Sequence, residues 1–140
     1  ARFIGIAGIL DVRGEYIIEY NALYGETIEK DDIVILYTGA SESSIDEEYY
    51  TRFIKLEQEF IDFLIETDIK MLGIDCASIE PYGETKVHEQ FLRAGIPILE
   101  NLSNLSRVPD GNYIYELFAM PLNIACDGLP ARVVLNAVEV

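Results

Sequence analysis

Five consecutive apolar residues, Ile33-Val34-Ile35-Leu36-Tyr37, close on Thr38-Gly39 after a polar stretch from Gly25 to Asp32. Successive side chains of a strand point to opposite faces, so a strand with no polar member needs cover on both. The run therefore predicts a central strand, with other strands beside it and further elements above and below.

The rest of the chain offers candidates for that cover. Phe3 to Val12 is mostly apolar, and Gly14 separates it from Tyr16-Ile17-Ile18-Glu19-Tyr20. Two strands meeting at a turn, an antiparallel beginning, follow from that pattern. Ser41 to Ser44 reads as a small polar loop. Beyond it Tyr49, Tyr50, Phe53, Ile54, Leu56, Phe60, Ile61, Phe63 and Leu64 recur largely three and four apart, behind Asp46 as a cap and Glu47 and Glu48 as first-turn acids. This spacing predicts one long helix. Met71 to Ile74 predicts a short strand closed by Asp75, followed by a loop from Glu80 to Gly83 and a helix from about Thr85 to Ala94 that stops at Gly95. Ile96 to Leu99 reads as a brief strand delivering Glu100 and Asn101 at its end. Tyr113 to Pro121 and Arg132 to Val140 read as two more strands, with Pro109-Asp110-Gly111 as the turn before the first. The class is α/β, a mixed sheet with flanking helices, in one domain over residues 1–140. No internal repeat or linker divides it.

Composition limits what such a domain does. Ten Lys and Arg against twenty-five Asp and Glu leave a net charge of −15, so no basic footprint exists to neutralise phosphates and a nucleic-acid partner is excluded. Half of the residues are hydrophobic, enough burial to offset the entropy of ordering the chain. No apolar stretch approaches the ~20 residues of a membrane-spanning helix, and no signal peptide is recognisable ahead of Phe3. Cys76 and Cys126 match no zinc-binding spacing, and two such cysteines point to a reducing, cytoplasmic setting.

His88 is the only histidine, hence the only imidazole available to a metal or to proton transfer near neutral pH. Glu100 lies twelve positions later, beyond a helix stop and at the end of a short strand. Carboxyl ends of strands in α/β sheets are where ligands bind, and the turn between can return Glu100 to His88. Asp75 holds the equivalent place after Met71 to Ile74. Imidazole nitrogen and carboxylate oxygen together suit borderline divalent cations, while a loop cap for Asp75 and bonds to backbone amides for Glu100 are the structural alternatives. Cys76 ahead of His88 offers a different chemistry, a thiol nucleophile with an imidazole base.

The stretch from Gly73 to Pro81 (GIDCASIEP), then His88 with Leu92 to Leu102 (LRAGIPILENL), then Asp127 to Arg132 (DGLPAR), resembles the cyclase-like metal-dependent hydrolases that include kynurenine formamidase and isatin hydrolase. Leu10 to Arg13 and Asp32 to Gly39 resemble earlier strands of that family. The resemblance implies a swivelling β/β/α-type fold, a zinc or manganese centre, and hydrolysis of a non-peptide amide, either an aryl formamide or a cyclic amide. It implies His88 and Glu100 as both metal ligands and catalytic residues, and a homodimer or higher homo-oligomer acting on a small-molecule amide, with no membrane or nucleic-acid partner. The family's upstream histidine-rich segment, His-x-Gly-Thr-His-x-Asp-x-Pro-x-x-His, has no counterpart here. The expectation is thus a domain missing its N-terminal metal-ligand segment, with a metal-free structural or regulatory homologue as the alternative. Ser78 and Arg132 are further candidates for the pocket wall, and Tyr16, Tyr20, Tyr113 and Tyr115 for an oligomer interface.

Overall fold

The computed structural model describes residues 2–43 and 46–140. Its elements run β1 (Ile4–Asp11), β2 (Ile17–Ile18), α1 (Ala22–Thr27), β3 (Ile33–Tyr37), β4 (Lys55–Leu56), α2 (Gln58–Glu66), β5 (Met71–Ile74), α3 (Lys86–Arg93), β6 (Ile98–Leu99), β7 (Tyr113–Pro121) and β8 (Ala131–Glu139). Six of the strands form one sheet in the order β6-β5-β3-β1-β7-β8. From β6 to β1 the neighbours are parallel, and from β1 to β8 antiparallel. The expected mixed α/β sheet is the one observed.

All five residues of β3 are buried, for the reason the apolar run implies. Val34 and Leu36, with Leu72 and Ile74 of β5, face Phe60, Ile61 and Leu64 of α2 and Phe91 of α3. Ile33, Ile35 and Tyr37, with Met71, turn the other way and meet Leu102, Leu105, Leu117 and Ala119. Helices thus cover one face only. The segment after β6 and the β7–β8 ribbon cover the other. On the outer side of that ribbon Ile114, Val134 and Val138, with Ile4 and Ile6 of β1, remain 43–48% exposed. Of the four tyrosines named for an interface, Tyr20 packs on Phe63 at 5.0 Å, Tyr113 stacks on Tyr115 at 6.3 Å, and Tyr16 is exposed.

Three readings of the sequence are corrected. The antiparallel pair at the start does not form, because both edges of β1 are taken, one by β3 and the other by β7. β2 instead pairs in parallel with β4 as a separate two-stranded sheet. The long helix beginning near Asp46 resolves into a 3₁₀ turn at Tyr49–Thr51, then β4, then α2. Asp46 does cap, accepting the Tyr49 N–H at 3.0 Å, but only that turn. Beyond it Ile54 and Leu56 are buried two apart around an exposed Lys55, a strand period, and the N–H groups of Lys55 and Glu57 donate to the carbonyls of Tyr16 and Ile18. Ahead of the stretch read as polar, Asn21 accepts the Leu23 N–H at 2.9 Å and starts α1, which runs into that stretch as far as Thr27. Ser41 lies in a second 3₁₀ turn, Ala40–Glu42, while Ser44 of the expected loop is outside the described residues.

Candidate active site at the carboxyl ends of the parallel strands

Because β3, β5 and β6 are parallel, their carboxyl ends share one edge of the sheet, and the polar residues collect there. Asp75, which follows β5, is fully buried. Its Oδ1 accepts the Thr38 N–H at 2.8 Å and the Thr38 hydroxyl at 2.6 Å, and its Oδ2 accepts the Gly39 N–H at 3.0 Å and the Ser41 hydroxyl at 3.1 Å. Donors of the loop after β3 thus surround this carboxylate. It ties that loop to the end of β5, which is the loop-cap alternative for Asp75 and not a place in a metal shell. Gly39 enters this arrangement at φ +80°, and a Cβ there meets Arg13 Cγ at 3.2 Å. Gly39→Ala is therefore expected to lower stability by about 1–2 kcal/mol in a urea titration.

The end of β6 is tied in a similar way. Asn101 donates its N–H to the Cys76 carbonyl at 2.9 Å, and Leu102 donates to Ile74 at 3.1 Å. The Tyr49 hydroxyl reaches Asn101 Oδ1 at 2.9 Å. These bonds place Glu100 opposite α3.

His88 sits in the first turn of α3, where the N-cap residue Thr85 makes no side-chain cap bond. A buried carboxylate from the preceding loop does that work: Glu80 Oε2 accepts the Val87 N–H at 3.0 Å, and Oε1 accepts the His88 N–H at 2.9 Å. The same Oε1 lies 2.5 Å from His88 Nδ1. On the other side of the ring, Nε2 lies 3.0 Å from Glu100 Oε1, which also accepts the Ile79 N–H at 3.0 Å. Burial pushes the Glu80 carboxyl up, but the two amide donors and the imidazole outweigh it and hold the group below the ordinary carboxylate range.

The structure therefore brings His88 and Glu100 together and leaves Asp75 in a separate cluster. Cys76 is not brought to His88: its thiol is buried, lies 3.2 Å from the Thr38 hydroxyl, and is pushed up by burial, while carboxylates occupy both imidazole nitrogens. Ser78 accepts the Glu80 N–H at 3.3 Å as a loop residue. Arg132 borders the cleft at the start of β8, but strand alternation sends its side chain to the face opposite Val133 and Leu135. Glu80 is the residue that sequence reasoning missed. Its one local signal is an acid a few residues ahead of a helix start that lacks a capping side-chain bond.

His88 and Glu100 line a cleft of about 870 Å³ whose apolar wall includes Ile35, Leu117, Val133 and Leu135. Pockets of this size, apolar with a few convergent polar groups, are typical of small-molecule sites. The donors fit a divalent metal in kind, one imidazole nitrogen and one carboxylate oxygen. In number they fall short, since among the described residues no three His, Cys, Asp or Glu side chains are grouped to hold an ion.

Residues 1–81, more than half of the chain, match the family model described as "Putative cyclase". The chain belongs to that family. Among its relatives, a kynurenine formamidase from Bacillus cereus is 32% identical over 139 residues, covering 97% of this chain and 64% of the relative. One from Bacillus mycoides is 31% identical with the same coverage. This cyclase-family chain spans less than two thirds of the length of the curated relatives it matches. A solved structure described as a potential metal-dependent hydrolase with cyclase activity superposes with a TM-score of 0.78 at 28% identity, over 96% of this chain and 65% of the other. Isatin hydrolase A from Labrenzia aggregata shares the fold, with a TM-score of 0.76 at 21% identity, over 99% of this chain and 62% of that one. No helix among the described residues is long and apolar enough to cross a membrane.

Proposed function

We propose that the complete protein is a metal-dependent hydrolase of a small aryl formamide, with His88 and Glu100 as its site residues within this chain. The observation that carries this reading is the 3.0 Å approach of His88 Nε2 to Glu100 Oε1 in a cleft that is polar on one side and apolar on the other, in a chain similar to kynurenine formamidases over nearly its whole length. Two ligands come from this single domain, and the remaining ones from the part of the protein that its relatives have beyond these 140 residues. A bound zinc or manganese ion supplies a water of lowered pKa and polarises the amide carbonyl.

The chain's own residues contribute position and exclusion of water. Glu100 Oε1 and His88 Nε2 are the two atoms that would hold the ion, and the apolar wall would take the aryl ring of the substrate. In the reaction a water oxygen bonds to the formyl carbon, the carbon–nitrogen bond breaks, and a proton reaches the departing nitrogen, giving formate and an arylamine. The reading includes a homo-oligomer, whose interface the exposed apolar face of β1, β7 and β8 supplies. Light scattering on the full-length protein tests that part, and a monomer at all concentrations overturns it.

The test of the activity is chelation and reconstitution of the full-length protein, assayed on an N-formyl arylamine. Hydrolysis is expected to stop on chelation and return with zinc or manganese, and Glu100→Gln is expected to lower metal content by elemental analysis. Hydrolysis indifferent to chelation overturns the metal-dependent reading. Absence of both metal and hydrolysis assigns the protein to the metal-free alternative.

A further inference from the structure

We propose that Glu80 is the positioning residue that fixes His88 with its proton on Nδ1 and its Nε2 lone pair presented to the cleft. The inference deepens the reading above, in which Nε2 faces the ion.

It starts from donors and acceptors. Backbone N–H groups only donate, and both Glu80 oxygens receive one: Oε2 from Val87 at 3.0 Å, Oε1 from His88 at 2.9 Å. Both oxygens are therefore acceptors in this arrangement, and the ring nitrogen 2.5 Å from Oε1 has to be the donor. In the neutral ring that proton is the only one, so Nε2 is left with a lone pair, whereas a charged ring donates from Nε2 to Glu100 as well. Glu100 Oε1, 3.0 Å from Nε2, already accepts the Ile79 N–H at 3.0 Å. In the neutral ring these two atoms both carry lone pairs and would together hold a cation. Histidine ligands to metals commonly donate their second nitrogen to a carboxylate in this way, which fixes the tautomer and the plane of the ring.

Burial makes Glu80 suited to the role. Its side chain is 3% exposed, against 29% for His88, so the carboxylate is fixed by the loop and the helix end, and the ring follows it. One carboxylate thus does two things, capping α3 and orienting the residue that α3 carries. The link between them is covalent and short. His88 donates its amide N–H to the same oxygen that holds its ring.

The experiment is long-range ¹H–¹⁵N correlation NMR on the metal-free full-length protein labelled with ¹⁵N-histidine, with His88→Asn identifying the His88 signals. At a pH where the ring is neutral, the expected wild-type spectrum shows Nδ1 protonated and Nε2 unprotonated. Glu80→Gln, which keeps the shape and one acceptor, is expected to mix the two tautomers and to weaken zinc binding by about 10–100-fold, with helical circular dichroism retained. A neutral wild-type ring with its proton on Nε2 overturns the proposal without any variant. So does a Glu80→Gln protein with both tautomer and zinc affinity unchanged. If the full-length protein binds no metal yet the Nδ1 proton depends on Glu80, the positioning role stands and the hydrolase reading fails.

Discussion

Asp75→Ala is expected to cost about 3–5 kcal/mol of unfolding free energy, comparable to removing one partner from a buried charged cluster. The carboxylate is fully buried and accepts from the amides of Thr38 and Gly39 and the hydroxyls of Thr38 and Ser41. Alanine leaves these donors facing a void that is closed to solvent, and each unmet buried donor costs roughly 1–3 kcal/mol. The hydroxyls can turn to other acceptors, but the amides of Thr38, Gly39 and, at 3.4 Å, Ser41 are fixed by the backbone. That is why the expectation stays below the simple sum. Asp75→Asn keeps one acceptor oxygen and sets an NH₂ against the remaining donors, so it is expected to fall between alanine and wild type. Urea titration followed by far-ultraviolet circular dichroism measures both, and a loss below about 1 kcal/mol for Asp75→Ala refutes the account. Because this cluster ties the loop after β3 to the end of β5, and neither His88 nor Glu100 belongs to it, its effect on the site is indirect.

What the sequence revealed follows from which interactions are local. β3 was legible because burial on both faces leaves an unbroken apolar run, and α3 because Gly95, at φ +75°, ends it with a residue suited to that conformation. Glu100 was legible as a partner of His88 because a helix, a stop and a short parallel strand leave few ways for the chain to return. The long helix was misread because a 3₁₀ turn followed by a two-residue strand reproduces the three- and four-residue spacing of its aromatic residues. What separates the two outcomes is the pair of carbonyls on Tyr16 and Ile18 that accept from Lys55 and Glu57, and these belong to a distant part of the chain. The first hairpin failed for the same kind of reason, since β7, a C-terminal strand, takes the edge of β1 that β2 was expected to fill. Glu80 was missed because an acid ahead of a helix start is a weak signal, and its oxygens act on amides seven and eight positions on, a spacing no capping motif records.

His88→Ala is expected to separate the proposed function from the fold. In the full-length protein it is expected to lower hydrolysis of an aryl formamide by at least about a hundredfold, the lower bound for a group placed on the reacting centre. Its effect on stability is expected to be smaller than that of Asp75→Ala, about 1.5–3 kcal/mol, the range of one lost hydrogen bond to a charged group. The reason is that Glu80 keeps its two amide donors: the Val87 N–H and the N–H of residue 88 remain whatever side chain stands there. The cap on α3 survives, and the helix that carries residue 88 stays in place behind Phe91, which is fully buried. Glu80→Ala breaks the pattern, because it removes an acceptor from two amides and the ring at once and so costs both stability and activity. Measuring hydrolysis and urea midpoints on the two variants side by side checks the pair. Equal losses of stability in both would mean that the ring, and not the carboxylate, holds this corner of the fold together.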